Sequence, residues 1–165
     1  MADHVDRLVK QWGAERPDLD VSPMEVIGRL KRLTYLVEAE LKRNFATHGL
    51  DAPSFDVLAT LRRSGPPYRL TPTGLMRTAM VTSGAISQRL DRLEARGLVT
   101  RTPSGSDGRS RDVELTPEGR ALVDRALPDH LVTERRLLAG LDEPQTEALI
   151  DALRTLLASL GDSPE

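Results

Sequence analysis

Apolar residues recur at three- and four-residue spacing over most of the chain, which is the pattern of amphipathic helices. Proline and glycine residues divide this pattern into short segments. The segments predict helices at about 3–13, 23–48, 53–63, 72–79, 84–96, 117–140 and 143–160. At 98–103 and 111–115 the period shortens toward two residues, which predicts two short strands joined by a loop of Gly, Ser and Asp. The pattern therefore predicts one mostly α-helical domain with a small β-hairpin.

Local signals indicate where several helices begin. Ser22 is the predicted N-cap of the second helix, with Pro23 in the first helical position and Glu25 completing a capping box. Thr82 or Ser83 is predicted to cap the fifth helix. The second helix carries apolar residues on more than one face, so we expect it to pack against its own chain and against another molecule. These residues are Met24, Ile27, Leu30, Leu33, Tyr35, Val37 and Leu41.

Composition excludes several classes of function. The chain has 165 residues and no cysteine, so thiol catalysis, cysteine redox sensing and Cys-ligated zinc are impossible. No apolar run approaches the ~18 residues of a membrane span, and the N-terminus is not a secretory signal. We therefore expect no membrane partner and a cytoplasmic location. His4, His48 and His130 lie far apart without metal-ligand spacing, so we expect no metal and no cofactor.

The net charge of −2 conceals an uneven distribution along the chain. Residues 77–111 hold seven basic and three acidic side chains, whereas residues 112–165 hold five basic and twelve acidic ones. A basic centre offers a local positive face to a polyanion. An ordinary solvated helix face is the alternative interpretation of the same charges.

The order of the central elements favours nucleic-acid binding. A short helix, a tight turn, a second helix with a polar face and then a basic hairpin is the order of a winged helix-turn-helix, in which the second helix enters the major groove. The candidate DNA contacts are Thr82, Ser83, Ser87, Gln88 and Arg92 on this helix and Arg109 and Arg111 on the hairpin. Gln can read adenine and Arg can read guanine.

The hairpin loop carries one cation and one carboxylate of interest. Arg109 is predicted to enter the minor groove, where focused negative potential favours arginine. Asp107 would be repelled by phosphate, so we expect it to bind Arg109 or the loop backbone and to fix the shape of the wing.

The stretch LTPTGLMRTAMVTSGAISQRLDRLEARGLVTRTPSGSDGRSRDVELTPEG resembles the MarR family of bacterial transcriptional regulators. The run from Asp107 to Ser110 and on to Gly119 is like the wing signature of that family. The resemblance implies a homodimer on a palindromic operator, with dimerisation helices at 1–49 and 117–165 and a DNA-binding lobe at 53–116. It also implies a small-molecule effector.

A narrower resemblance concerns the effector. Trp12, RPDLD at 16–20 and the segment SFDVLATLRRSGPPYRLTP resemble the urate-responsive, PecS-like branch of the family. The resemblance implies an effector pocket at Trp12, Asp56, Arg89 and Arg101. Arg would pair with an anionic ring and Trp would stack on it. Two alternatives stay open: Trp12 is a dimer or core anchor, and Asp56 pairs with Arg62, Arg63 or Arg89.

No enzyme motif is present: the chain has no phosphate loop, no GxSxG elbow, no HExxH and no cysteine nucleophile. We therefore expect a ligand-responsive DNA-binding repressor whose effector is urate or a phenolic or carboxylic acid. The alternative is a helical dimeric protein-interaction module that keeps the fold without effector control or specific DNA binding.

Overall fold

The computed structural model of the chain describes residues 2–79, 86–104 and 110–162. Within them the order of elements confirms the mostly helical prediction with its hairpin. The helices are α1 (His4–Glu15), α2 (Pro23–Thr47), α3 (Ala52–Arg63), α4 (Pro72–Thr78), α5 (Ile86–Ala95), α6 (Pro117–Leu138) and α7 (Glu143–Ser159). The strands are β1 (Arg69–Leu70), β2 (Val99–Ser104) and β3 (Ser110–Leu115).

The sheet has three antiparallel strands in the order β1-β3-β2. The predicted strands correspond to β2 and β3, which pair from Val99↔Leu115 to Ser104↔Ser110. Strand β1 was not predicted, because two residues are too few to show an alternating pattern. Its pairing with β3 ties the connection between α3 and α4 to the base of the hairpin.

Helices α2, α3, α4, α6 and α7 begin at or within one residue of the predicted positions, but the predicted cap of α2 is wrong. The pattern predicts Ser22 as the cap of this helix, but its backbone is already helical (φ −56°, ψ −34°) and its side chain makes no capping hydrogen bond. The Ser22 N–H instead donates to the Asp20 carboxylate at 3.0 Å. The predicted caps Thr82 and Ser83 lie outside the described residues. Side chains that do cap are Asp3, Asp51, Thr71, Thr116 and Asp142.

One core joins the central helices to the sheet. The predicted stripe of α5, consisting of Ile86, Leu90 and Leu93, is buried. It packs with apolar side chains of α3, α4, both hairpin strands and α6. The residues buried most completely are Leu58, Leu61, Leu75, Leu93, Val57, Val99, Val113 and Val123. This core gives α5 and the hairpin a common support.

The remaining helices leave much apolar surface uncovered. Helix α1 lies against α2 where Val5 is buried beside Gly28, and a Cβ at Gly28 would lie 2.9 Å from Val5 Cγ1. Helix α7 contains no buried residue. Large apolar side chains on α2, α6 and α7 are exposed, among them Ile27, Leu33, Leu36, Leu131, Ile150, Leu153 and Leu157. These faces require a further partner to be buried.

None of the helices in the described ranges is long and apolar enough to cross a membrane. Across those same ranges no group of three or more His, Asp or Glu side chains is arranged to hold a metal ion.

Candidate nucleic-acid interface

The outer face of α5 presents part of the predicted DNA-contacting set. Ser87, Gln88 and Arg92 are exposed, whereas the buried stripe of the same helix faces the core. For Arg92, the described part of the chain supplies no carboxylate within ion-pair distance. These three side chains can therefore reach a groove without breaking an internal contact. The other predicted contacts on this segment, Thr82 and Ser83, lie outside the described residues.

The hairpin lies beside α5. Arg111, opposite Pro103 in the sheet register, is exposed. The loop residues Asp107 and Arg109 lie outside the described ranges, so the predicted minor-groove contact and the predicted loop-shaping contact stay predictions. The described strands carry the base of the wing.

Arg89 joins α5 to the start of α3. Its Nη1 donates to Asp51 Oδ1 at 2.6 Å, and its side chain is only 14% exposed. Asp51 also accepts from the backbone N–H of Ser54 at 2.8 Å and so caps α3. Partial burial raises the pKa of Asp51, but the hydrogen bonds from Ser54 and Arg89 outweigh it and hold the pKa below its usual value.

Arg101 joins β2 to α5. Its Nε donates to Glu94 Oε2 at 2.9 Å, its Nη2 bonds the Asp91 carboxylate, and its backbone N–H donates to Glu94 Oε1 at 3.2 Å. The hydrogen bonds to Asp91 and Glu94 raise the pKa of Arg101. One guanidinium on the wing strand thus binds two carboxylates spaced three residues apart on the helix.

The structure divides the basic centre of the sequence into two groups. Arg89 and Arg101 have carboxylate partners, and Arg96 donates to the carbonyl of Gly49 at 2.9 Å. Arg92 and Arg111 are exposed. Counted along the chain, all of these arginines contribute to one cationic face, but in the structure the charges of Arg89 and Arg101 are compensated by carboxylates.

The four predicted effector residues do not lie together in a single chain. Trp12, 47% exposed, lies near the turn between α1 and α2. Asp56 lies on α3, which packs on the other end of α2 through the ring contact between Phe45 and Phe55 at 4.4 Å. At 1.5 Å per residue this separates Trp12 from Asp56 by about 30 Å along α2.

Asp56 has one of the partners that the sequence analysis considered. Its side chain is 16% exposed, and its Oδ1 lies 4.0 Å from Arg63 Nη1. Arg63 in turn donates to the carbonyl of Thr78, the last residue of α4. The pair therefore connects α3 to the end of the helix that precedes the predicted recognition segment.

The start of α6 holds the base of the wing through contacts of Thr116 and Gly119, which the sequence did not indicate. Thr116 Oγ1 donates to the carbonyl of Gly97 at 2.7 Å and accepts from the N–H of Gly119 at 2.9 Å. A Cβ at Gly119 would lie 2.0 Å from the carbonyl oxygen of Leu98, so only glycine fits there. The first turn of α6 thus contacts the backbone that leads into β2.

Other residues that the sequence analysis missed are Asp51, Asp91 and Glu94. Asp51 was readable as an N-cap, because it precedes a helix that has a proline in its first turn. Asp91 and Glu94 carried a weaker signal, since a pair of carboxylates three residues apart on a helix is usually solvated. Only the fold brings Arg101 next to them.

Comparison with known proteins identifies the architecture. Residues 48–110 match a model described as MarR family. The HTH-type transcriptional regulator PecS of Dickeya dadantii is 43% identical over 141 residues, which cover 86% of this chain and 85% of the relative. Among solved structures, Sco3205 of Streptomyces coelicolor, a MarR family transcriptional regulator in complex with DNA, has a TM-score of 0.76 at 26% identity and covers 86% of this chain and 90% of its own.

A second solved structure is similar at comparable identity. BpsR of Bordetella bronchiseptica has a TM-score of 0.72 at 26% identity, over 80% of this chain and 98% of its own. That structure was described for the regulation of DNA binding by 6-hydroxynicotinic acid.

Proposed function

The chain belongs to the MarR family of transcriptional regulators, in its PecS-like branch, and from that premise we propose that it represses transcription by binding a palindromic operator as a homodimer. It is a DNA-binding regulator rather than an enzyme. A small anionic or aromatic effector weakens the binding. A regulator that binds the chromosome acts in the cytoplasm, and we propose that location.

One observation carries the proposal: the exposed polar face of α5 and the exposed Arg111 of the wing rest on one shared core. Such an arrangement lets a helix read base edges while the hairpin follows the adjacent phosphates. We propose that Ser87, Gln88 and Arg92 contact bases and that Arg111 contacts the backbone. Thr82, Ser83 and Arg109 complete the predicted set, and Asp107 shapes the wing.

The uncovered apolar faces support pairing of two copies. Leu33 and Leu36 on α2 and Leu153 and Leu157 on α7 are exposed in the single chain. Their burial against a second copy would be favourable at ~25 cal/mol per Å². We propose that residues 1–49 and 117–165 form the dimer and that 53–116 form the DNA-binding lobe. Two lobes then face half-sites about 34 Å apart.

The effector must compete with internal ion pairs. Arg89 is paired with Asp51, and Arg101 is paired with Asp91 and Glu94. We propose that an anionic ring exchanges with these carboxylates and thereby loosens α5. Trp12 joins such a pocket only if a second copy of the chain supplies it, because its own α2 holds it far from α3. Urate and phenolic or carboxylic acids are the ligand classes that fit this chemistry.

Fluorescence anisotropy with a promoter fragment of the gene that encodes this protein tests the proposed DNA binding. We expect binding that weakens with salt, with a log–log slope of about −0.9 for each phosphate that the protein neutralises. Arg111→Ala should therefore make the slope shallower by ~1.8, because one phosphate at each of the two half-sites would no longer be neutralised. Arg154→Ala is the matched control, because Arg154 is an exposed arginine on α7, paired with Asp151.

Three results would overturn this proposal. If the wild-type protein is dimeric but binds no promoter fragment at low salt, the regulator is excluded and the dimeric protein-interaction module remains. If the wild-type protein is monomeric, both interpretations are excluded. If Arg154→Ala and Arg111→Ala change the salt slope equally, the wing does not contact the backbone.

A thermal-shift screen of urate, phenolic acids and small carboxylates tests the effector part. We expect a ligand that raises the melting temperature, releases DNA and loses potency in Arg89→Ala. The same screen on Trp12→Ala decides whether α1 of a second copy contributes. Hits that persist undiminished in both variants would refute the pocket.

A further inference from the structure

Arg101 occupies a position between the two DNA-reading elements of the lobe. It lies at the base of β2, opposite Val113 of β3, and its side chain is 22% exposed. Both of its carboxylate partners belong to α5, the helix that presents Ser87, Gln88 and Arg92. The wing and the recognition helix therefore have a polar connection in addition to their shared core.

The geometry of this connection opposes rotation of the wing. Glu94 receives the Arg101 Nε–H and the Arg101 backbone N–H on its two oxygens, at 2.9 and 3.2 Å. Asp91, one helical turn earlier, bonds the same guanidinium through Nη2. Contacts at two turns of a helix fix a direction as well as a distance. The end of β2 at Ser104 lies three residues, or about 10 Å, beyond Arg101, so a rotation of about 10° about Arg101 displaces it by nearly 2 Å.

The charges at this connection matter for a polyanionic partner. Asp91 and Glu94 have side chains 63% and 40% exposed, and they lie on the helix that is proposed to enter the groove. Without Arg101, two uncompensated carboxylates would approach phosphate. Arg101 therefore lowers the local repulsion while its own donors are engaged by the protein.

We infer that Arg101 is a positioning residue for DNA binding, which sets the angle between wing and recognition helix through Asp91 and Glu94 and makes no contact with DNA itself. The inference rests on the proposed function. It assigns Arg101 a role that an effector could use: a ligand that takes the guanidinium from its two carboxylates would release the wing from α5.

A double-mutant cycle on operator binding tests this role. Arg101→Gln should weaken operator binding about tenfold or more in the wild-type background. In the Asp91→Asn/Glu94→Gln background the same change should weaken it less than twofold, because the partners through which Arg101 acts are gone. Arg101→Lys keeps the charge but loses the fork that reaches two carboxylates, so an intermediate loss is expected.

The salt dependence of operator affinity distinguishes a positioning role of Arg101 from a direct contact with DNA. In the Asp91→Asn/Glu94→Gln background, where no carboxylate is left uncompensated, Arg101→Gln should leave the salt slope unchanged, whereas Arg111→Ala should make it shallower by ~1.8, about 0.9 for each copy in the dimer. A shallower slope for Arg101→Gln in that neutralised background, or an equal loss of affinity in both backgrounds, would show that Arg101 contacts DNA and would overturn the inference. Unchanged affinity in Arg101→Gln would overturn it as well.

The experiment distinguishes this inference from the proposed function. If the wild-type protein binds no promoter fragment, the proposed function fails before the cycle begins. If the wild-type protein binds and the cycle shows no coupling, only the positioning role fails. Circular dichroism of each variant shows whether it is folded. If Arg101→Gln is not folded, the same measurements are made on Arg101→Lys.

Discussion

Replacing Gly119 by alanine should disturb the junction between α6 and the wing. The added Cβ would lie 2.0 Å from the carbonyl oxygen and 2.9 Å from the carbonyl carbon of Leu98. Both are backbone atoms, so relief requires the helix or the strand to move by roughly 1 Å to restore ordinary van der Waals separation. The same Leu98 oxygen accepts from the N–H of Thr116 at 3.2 Å, and this hydrogen bond would be strained too.

Three contributions set the expected change in the free energy of unfolding for Gly119→Ala. Overpacking costs ~1–3 kcal/mol, and the weakened hydrogen bond costs about 1 kcal/mol. The higher helix propensity of alanine returns about 1 kcal/mol. A net loss of about 2 kcal/mol corresponds to a decrease of roughly 4–8 °C in melting temperature for a chain of this size.

Thermal unfolding followed by circular dichroism measures this decrease, at one fixed protein concentration because pairing stabilises the chain. Gly13→Ala is the matched control. Gly13 lies in α1 with no heavy atom within 4 Å of its would-be Cβ, so the same substitution there should raise the melting temperature. If Gly119→Ala is as stable as the wild type, or gains stability as Gly13→Ala does, the close approach of α6 to Leu98 is wrong.

Further predictions concern the ion pair at α3 and the uncovered leucines. The folded state holds the pKa of Asp51 below its ordinary value of 3.8, so its stabilisation is present above that pH and is lost as the pH falls through the folded pKa. Acid titration of unfolding should therefore show a smaller loss of stability between neutral pH and pH ~3 for Asp51→Asn, which keeps the cap, than for the wild type. An equal loss would contradict the stabilisation of the Asp51 carboxylate by Ser54 and Arg89. Asp51→Ala also removes the cap and should cost ~0.5–2 kcal/mol more than Asp51→Asn in urea unfolding at neutral pH. Leu157→Glu should shift sedimentation toward the monomer and abolish operator binding, whereas a dimer of unchanged affinity would exclude α7 from the interface.

The helices were predictable because their signals are local. The stripe of Ile86, Leu90 and Leu93, the start of α6 at Pro117 and the shortened period of the hairpin each depend on neighbours within a few residues. The predicted capping bond of Ser22 is absent because the Ser22 backbone is already helical, and its N–H donates to the Asp20 carboxylate; the residue types alone do not show this.

The connections within the site were not predictable in the same way. The bond from Arg101 to Asp91 spans ten residues, and the bond from Arg89 to Asp51 spans 38. The packing of the helices decides which arginines bind internal carboxylates and which face solvent. The number of charges along the chain carries no information about that packing. Arg92 and Arg111 were separated from Arg89 and Arg101 only by the fold.

Helix α6 runs from its glycine contact at the wing base to the apolar side chains near its far end, with Pro128, which lacks the N–H for one helical hydrogen bond, in its interior. From Gly119 to Leu138 it spans about 28 Å at 1.5 Å per residue. A tilt of about 5° at the wing end therefore moves the other end by roughly 2.5 Å over that length. In a symmetric pair, two such helices would convert a slight repacking between the copies into a change in the distance between the two DNA-binding lobes. The affinity for DNA would then depend on contacts that lie far from any base.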